Sequence, residues 1–227
     1  MVRYDGGVPS SRPGRSRPEP TRHGGRVAAI ILAAGDSTRM GRPKALLADP
    51  DGRPFVARLV RALAGAGCHP VVVVTGRDHD AIAAALGDDR LPVDPVVVNN
   101  PAPARGQLSS LWVGLDAADA AVVDAVLVTL VDVPLVREST VRRVVEAWSR
   151  SRAPIVRPAI GDRHGHPVLF DRAVFGELRA APPAEGAKAV IRADAGRIVD
   201  VPVDDEGCLV DVDTPEEYEA IRRGRVR

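Results

Sequence analysis

Short, continuously apolar runs alternate with stretches of helical periodicity from residue 27 of the chain onward. Four of these runs are too apolar along their whole length for a strand that turns one face to water, so each predicts a buried strand of a parallel sheet. The predicted strands are residues 27–32, 70–75, 93–98 and 125–131. Helical spacing of apolar residues predicts helices between and after them, at residues 54–66, 78–86, 107–118 and 138–149.

The order of these elements is that of repeated β-α-β units. After residue 150 the pattern is less regular, with strands predicted at residues 154–157, 167–170 and 197–203 and helices at residues 171–180, 186–192 and 215–222. The chain has 227 residues, of which 45% are hydrophobic, and this is enough for one substantial core. We therefore expect residues 26–227 to form a single-domain α/β fold, a Rossmann-like three-layer α/β/α sandwich with a mostly parallel sheet.

Residues 1–25 differ from the rest because Arg, Pro, Gly and Ser dominate them. Such a segment buries too little apolar surface to offset the entropy of ordering, so we expect a disordered tail. The formal net charge of the chain is only +1, which gives no global field to attract nucleic acid or an anionic membrane. The sequence contains no secretory signal pattern and no membrane-spanning run. Cys68 and Cys208 lack metal-binding spacing, and we expect reduced thiols in a cytoplasmic protein.

The first predicted strand leads into a loop of small residues that is followed by two cations. The loop begins with Leu32, Ala33, Ala34 and Gly35. Small side chains let backbone N–H groups approach an anion closely, and Arg39 and Lys44 add the positive charge that a polyphosphate needs. A P-loop is excluded because no Gly-Lys-Ser/Thr is present, and Gly-x-Gly-x-x-Gly is absent as well. The loop therefore predicts a nucleoside triphosphate site of another kind.

Carboxylates follow the fourth predicted strand and precede the last predicted helix. Asp132 comes directly after a strongly apolar run, where an unpaired carboxylate is costly, and a magnesium ion beside a triphosphate is its natural partner. A turn or capping role is the alternative for Asp132. Asp211 and Asp213 fall on the same side of an extended segment, although Thr214 and the residues after it also make a good helix start.

Residues 32–44 resemble the signature loop of the MobA-like nucleotidyltransferases, Leu-Ala-(Ala/Gly)-Gly-x-Ser-x-Arg-Met-Gly-x-x-Lys, at every fixed position. Four later segments resemble this family in the same order along the chain. They are Gly106 with Ser109, Ser110 and Leu111; Asp132-Val133-Pro134; residues 165–170, which begin with Gly165 and His166; and residues 211–217. Gln107 and Leu108 depart from the family's Gly-Met-Ser-Ser-Ser-Leu segment, and a serine pair that only caps a helix is the alternative there.

The resemblance implies a fold like that of the nucleotide-diphospho-sugar transferases and a role for each matched residue. Arg39, Lys44 and Asp132 are the implied catalytic residues, with Arg39 on the β- and γ-phosphates and Lys44 on the α-phosphate. Asp132 and Asp213 are the implied Mg²⁺ ligands. The implied nucleotide-binding residues are Leu32, Ala33, Ala34, Gly35, Arg39, Lys44, Asn99, Gly106, Ser109 and Ser110, and Gly165 and His166 are the implied acceptor-binding residues.

The implied activity is magnesium-dependent transfer of a nucleotidyl group to a small phosphorylated acceptor, with closest similarity to the molybdopterin cytidylyltransferases. Ala34 and the Asp211-x-Asp213 pair resemble family members that use CTP, so CTP is favoured over GTP as the nucleotide. Sugar phosphates, polyol phosphates and phospho-acids are alternative acceptors to molybdopterin. A non-catalytic nucleotide sensor and a chaperone that delivers cofactor to a molybdoenzyme are the alternatives of another class.

Overall fold

The structure, a computed structural model, describes residues 25–37, 40–183 and 185–224. The prediction of a disordered tail concerns residues 1–25 and lies, apart from Gly25, outside the described residues. The strands are β1 (Val27–Ala33), β2 (Val71–Thr75), β3 (Val96–Asn99), β4 (Ala125–Leu130), β5 (Ile155–Ile160), β6 (Arg163–His164), β7 (Val168–Asp171) and β8 (Ile198–Pro202). The helices are α1 (Phe55–Gly65), α2 (His79–Asp88), α3 (Gln107–Asp119), α4 (Glu138–Ser151), α5 (Phe175–Ala180), α6 (Lys188–Ala193) and α7 (Pro215–Arg222).

The first four strands form the parallel half of one sheet, in which β1 lies between β2 and β4 and β3 lies outside β2. Strand β7 pairs antiparallel with β4 and β5, while β5 also pairs antiparallel with β6 and parallel with β8. The predicted single-domain α/β class is confirmed, with a mixed sheet. Strand β7 runs antiparallel to β5 because the connection between them, residues 161–167, is short, and a parallel crossover needs a dozen or more residues.

Helices cover both faces of the sheet, as the predicted three layers require. Ala29 and Ile31 of β1 pack in one apolar cluster with residues of α1 and α4, and Ala28 and Ile30 pack in a second cluster with residues of α3. Gly114 lets α3 approach the sheet closely, since a Cβ there would lie 2.6 Å from Ile30 Cγ2. Among the described helices, none combines the length and apolar character needed to cross a membrane.

Strand β3 differs from its prediction. It begins at Val96 instead of residue 93 and lies at the edge of the sheet, where Val96 is 42% exposed. The expectation of a buried strand is wrong here because an apolar run does not show whether a strand lies at the centre or at the edge of a sheet. Strand β6 has no apolar signal at all, since it consists of the exposed residues Arg163 and His164 paired with the end of β5.

The chain that follows β8 is fastened to the start of α4 by one buried carboxylate. Asp205 is 1% exposed and accepts hydrogen bonds from the Arg137 N–H at 2.8 Å, the Thr140 hydroxyl at 2.7 Å and the Gly207 N–H at 3.1 Å. Its negative charge also lies at the N-terminus of α4, the positive end of the helix dipole. The segment that leads to Asp213 is thereby held against the body of the domain.

We expect Asp205→Ala to lower the free energy of unfolding by about 2 to 3 kcal/mol, because buried donors lose a charged acceptor. Asp204→Ala is the matched control, since the neighbouring Asp204 is exposed. Urea denaturation followed by circular dichroism measures both variants. Equal stability of the two variants would contradict the role given to Asp205.

Candidate active site

A cleft of about 270 Å³ opens at the carboxyl ends of β1 and β4, the edge at which ligands bind in open α/β sheets. Many of the residues singled out in the sequence line this cleft. They are Leu32, Ala33, Ala34, Gly35, Lys44, Gly106, Ser110, Asp132 and Asp213. Four separate parts of the chain therefore meet at one place, as expected for loops at the carboxyl ends of parallel strands.

Lys44 carries the positive charge at the centre of this cleft. Its Nζ donates to Asp132 Oδ2 at 3.1 Å and to Asp213 Oδ1 at 2.5 Å. Burial disfavours the charged lysine, but the hydrogen bonds and charges of Asp213 and Asp132 outweigh this effect and raise the pKa of Lys44. The ammonium group therefore stays protonated and holds together two carboxylates that repel each other.

Backbone contacts bring Asp213 to Asp132 from the far end of the sequence. The Val212 N–H donates to the Asp132 carbonyl oxygen at 2.8 Å. Helix α7 begins with a capping box between Thr214 and Glu217, and Glu217 also accepts from the Asp213 N–H at 2.7 Å. An apolar cluster behind these contacts joins α7 to α1 and comprises Leu47, Phe55, Leu135, Val212, Tyr218 and Ile221. The helix start and the candidate metal ligand are thus parts of one local structure.

The loop after β1 is shaped by close contacts with its surroundings. Ser37 Oγ accepts a hydrogen bond from the Lys44 N–H at 3.0 Å, which closes the loop. Gly76, just after β2, lies so near that a Cβ there would be 2.9 Å from the Ala34 carbonyl oxygen. Arg39 lies outside the described residues, so its phosphate-binding role stays a prediction.

Asn100, and not Asn99, is the asparagine that supports the cleft. Asn99 is exposed at the end of β3 and is not among the described residues that line the cleft, and its nucleotide-binding role stays a prediction. Asn100 is 3% exposed, and its Nδ2 donates to Ser109 Oγ and Ser110 Oγ, each at 2.9 Å. Ser109 donates in turn to the Gly106 carbonyl oxygen at 2.7 Å, so it braces the start of α3 while Ser110 lines the cleft.

The two departures from the family pattern have different consequences in the structure. Leu108 is 1% exposed and packs in the core under α3, so this change does not reach the cleft. Gln107 does line the cleft, together with Asp78 and Pro103 from the loops after β2 and β3. No motif singles out Asp78 or Pro103, because Asp and Pro are common turn residues in loops of any function.

Gly165 and His166, the predicted acceptor residues, are not among the described residues that line the cleft. Gly165 has a packing role, since a Cβ there would clash with the Cys208 carbonyl oxygen. His166 Nδ1 is buried without a hydrogen-bond partner among the described residues, and burial lowers the pKa of the ring. A backbone hydrogen bond with Val128 and the charge of Asp132 act against this effect of burial on the pKa of His166, while the charge of Lys188 adds to it.

The carboxylates of the cleft match the preferences of a magnesium ion. Asp132 Oδ1 is buried and has no hydrogen-bond partner within the described chain. Burial and the charges of Asp132 and Asp213 raise the pKa of the Asp211 carboxyl. No group of three or more His, Cys, Asp or Glu side chains in the described ranges is arranged to hold a metal by itself. Magnesium commonly uses one or two carboxylates plus substrate phosphates, so Asp132 and Asp213 fit an ion that arrives with a nucleotide.

A cleft with one lysine between two carboxylates, at the strand ends of an α/β sheet, fits the nucleotidyltransferase class. Residues 29–198 match the model of the MobA-like NTP transferase domain. The match covers most of the chain, and the chain belongs to this family.

Curated relatives carry several names. Nicotine blue oxidoreductase of Paenarthrobacter nicotinovorans is 32% identical over 84% of this chain and 94% of that protein. A probable molybdenum cofactor guanylyltransferase of Mycobacterium avium is 29% identical over 88% of this chain and 96% of that protein. The bifunctional protein GlmU of Anaeromyxobacter sp. is 34% identical over 74% of this chain, which spans only 33% of the GlmU length.

Solved structures of similar chains share the fold. Rv0371c from Mycobacterium tuberculosis superposes with a TM-score of 0.69 at 28% identity, covering 87% of this chain and 98% of that one. Its complex with manganese gives a TM-score of 0.64 at 26% identity, with coverage of 87% and 98%. A nucleotidyl transferase from Methanothermobacter gives a TM-score of 0.73 at 23% identity, over 88% of this chain and 98% of that one, which supports the fold alone.

We expect Lys44→Met to tighten Mn²⁺ binding to the nucleotide-free protein by about tenfold, because the lysine neutralises the two carboxylates that would hold the ion. Lys188→Met is the charge-matched control, since Lys44 and Lys188 are the two lysines of the chain. Titration of free Mn²⁺ by electron paramagnetic resonance measures the affinity. Unchanged or weaker binding in Lys44→Met would show that the ion does not use these carboxylates.

Proposed function

We propose that this protein is a Mg²⁺-dependent nucleotidyltransferase that moves an NMP group, CMP in the first place, from an NTP to a phosphate-bearing acceptor and releases pyrophosphate. The observation that carries the proposal is the contact of Lys44 Nζ with both Asp132 and Asp213 beside the small-residue loop. A sensor that only binds a nucleotide does not need two carboxylates next to its phosphate-binding lysine.

Transfer of a phosphoryl-type group asks a protein mainly for positioning and for neutralisation of charge. An oxygen of the acceptor phosphate attacks the α-phosphorus in line, and the bond from the α-phosphorus to the pyrophosphate oxygen breaks. In this proposal Lys44 leaves the carboxylates for the α-phosphate oxygens, and Arg39 binds the β- and γ-phosphates. Asp132 and Asp213 would hold Mg²⁺, which when bound would supply positive charge to neutralise the phosphates. The acceptor phosphate is already anionic, so no general base is needed.

The choice of CTP rests on Ala34 and on the Asp211-x-Asp213 pair, which resemble the CTP-using members of the family. Ala34 is 8% exposed and lines the cleft in which we propose that the nucleotide binds. The relatives named as guanylyltransferases support GTP as the alternative nucleotide.

The proposed acceptor is molybdopterin or the molybdenum cofactor, in keeping with the name of the mycobacterial relatives. Another small phospho-acceptor is the alternative. We place the acceptor near His166, because the resemblance assigns this residue to the acceptor and its buried Nδ1 has no hydrogen-bond partner among the described residues. A molybdoenzyme that takes up the product is the proposed protein partner.

Family membership alone does not fix the reaction, since one relative of comparable identity is named an oxidoreductase. The argument for transfer comes from the charges in the cleft. Lys44 and the two carboxylates beside it are suited to a triphosphate and its metal ion, and hydride transfer makes no such demand.

Pyrophosphate release tests the proposal most simply. We expect release in the presence of Mg²⁺, CTP and molybdopterin, and loss of release after treatment with a chelator. GTP, ATP and UTP, and other phosphorylated acceptors, are tested in the same assay. If no pair of nucleotide and acceptor gave pyrophosphate release, the proposal would be overturned. If only GTP gave release, GTP would replace CTP as the proposed nucleotide.

Variants then test the assigned residues in that assay. Lys44→Ala and Asp132→Asn should each lower kcat by about 100-fold or more, because each removes charge stabilisation at the reacting group. Asp162→Asn is the control, since Asp162 is an exposed acid in the turn after β5. Circular dichroism establishes that the variants are folded. Rates within a few-fold of the wild type would remove Lys44 and Asp132 from the mechanism.

A further inference from the structure

One carboxylate in the cleft has no role in the reaction described so far. Asp78 follows β2, is half-buried and lines the same cleft as Lys44. Its side chain makes no hydrogen bond at the start of α2. The adjacent Arg77 pairs instead with Asp36, at 3.6 Å between Nη2 and Oδ1. Among the residues that the structure describes, Asp78 thus has no cation as partner and faces the space that a nucleotide would occupy.

The strand order shows which part of the nucleotide would meet Asp78. The phosphates belong at the end of β4 and at Lys44, and β2 is separated from β4 by β1. Neighbouring strands lie about 4.8 Å apart, so the ends of β4 and β2 are separated by about 10 Å. The base is the part of a nucleotide farthest from its phosphates. It would therefore lie on the side of the cleft lined by Asp78, Pro103 and Gln107.

We propose that the Asp78 carboxylate accepts a hydrogen bond from the exocyclic amino group of the nucleobase and so selects amino-bearing bases over uracil. This inference rests on the proposed binding of a nucleoside triphosphate in the cleft. An ionised carboxylate only accepts hydrogen bonds. Cytosine offers an amino donor at position 4, where thymine and uracil offer a carbonyl oxygen that would face the carboxylate. The same carboxylate suits guanine, so Asp78 rejects uracil without choosing between CTP and GTP.

Binding of nucleotides without acceptor tests this proposal apart from turnover. Isothermal titration with Mg²⁺ measures the affinities for CTP, UTP and 2′-deoxy-CTP in the wild type, in Asp78→Asn and in Asp80→Asn. Asp80→Asn is the matched control, because this substitution removes the same charge at an exposed position in the first turn of α2. We expect the wild type and the control to prefer CTP over UTP.

In Asp78→Asn the ratio of CTP to UTP affinity should fall by about 10- to 100-fold, because a charge-assisted hydrogen bond is lost and the new amide can donate to the uracil carbonyl. An equal loss for CTP and UTP would overturn the proposal. So would a loss for CTP that is absent for 2′-deoxy-CTP, since Asp78 would then bind the ribose. A wild type without preference for CTP would overturn it as well. Selective binding without pyrophosphate release would contradict the transferase function and leave the role of Asp78 standing.

Discussion

The attraction between one ammonium group and two carboxylates is the interaction on which the cleft depends. Lys44 Nζ lies 3.1 Å from Asp132 and 2.5 Å from Asp213, although these residues are 88 and 169 positions away in the sequence. Two carboxylates at such close range repel each other, and the lysine offsets that repulsion in the protein without ligand. A divalent ion that binds with a triphosphate can neutralise the two carboxylates in place of Lys44. The ammonium group is then free to bind a phosphate.

The fold holds these three groups in place through contacts outside the cleft. The buried Asp49 pairs with Arg58 Nη1 at 3.2 Å, and Arg58 Nε donates to the Pro134 carbonyl oxygen at 2.9 Å. This link joins the chain just after Lys44 to the chain just after Asp132. The apolar cluster under α7 anchors Asp213, so each of the three charged groups is held by contacts that do not involve the other two.

Much of the fold and part of the site follow from the sequence, and the exceptions have physical causes. The sequence predicts the loop of residues 32–35, Lys44 and Asp132 as parts of the site. Each lies at or just after the end of an apolar run, and its residue type suits a phosphate or a metal ion. Asn99 and Asn100 show where prediction from sequence stops. Adjacent residues of an extended segment point to opposite sides, and two asparagines in a row do not indicate which of them is buried. Gly165 likewise matches a motif but serves packing against Cys208, a contact distant in sequence. Asp78 lines the cleft because β2 lies beside β1 in the sheet, and no local sequence pattern reveals the order of the strands.

The central claim is that the cleft around Lys44 transfers the nucleotidyl group and not the terminal phosphate. Following a radioactive α-phosphate from CTP with Mg²⁺ and molybdopterin, by chromatography of the products, tests it most directly. The account predicts that the label appears in the acceptor product while unlabelled pyrophosphate is released. Label left in free CMP or CDP, with none in the acceptor, would contradict it.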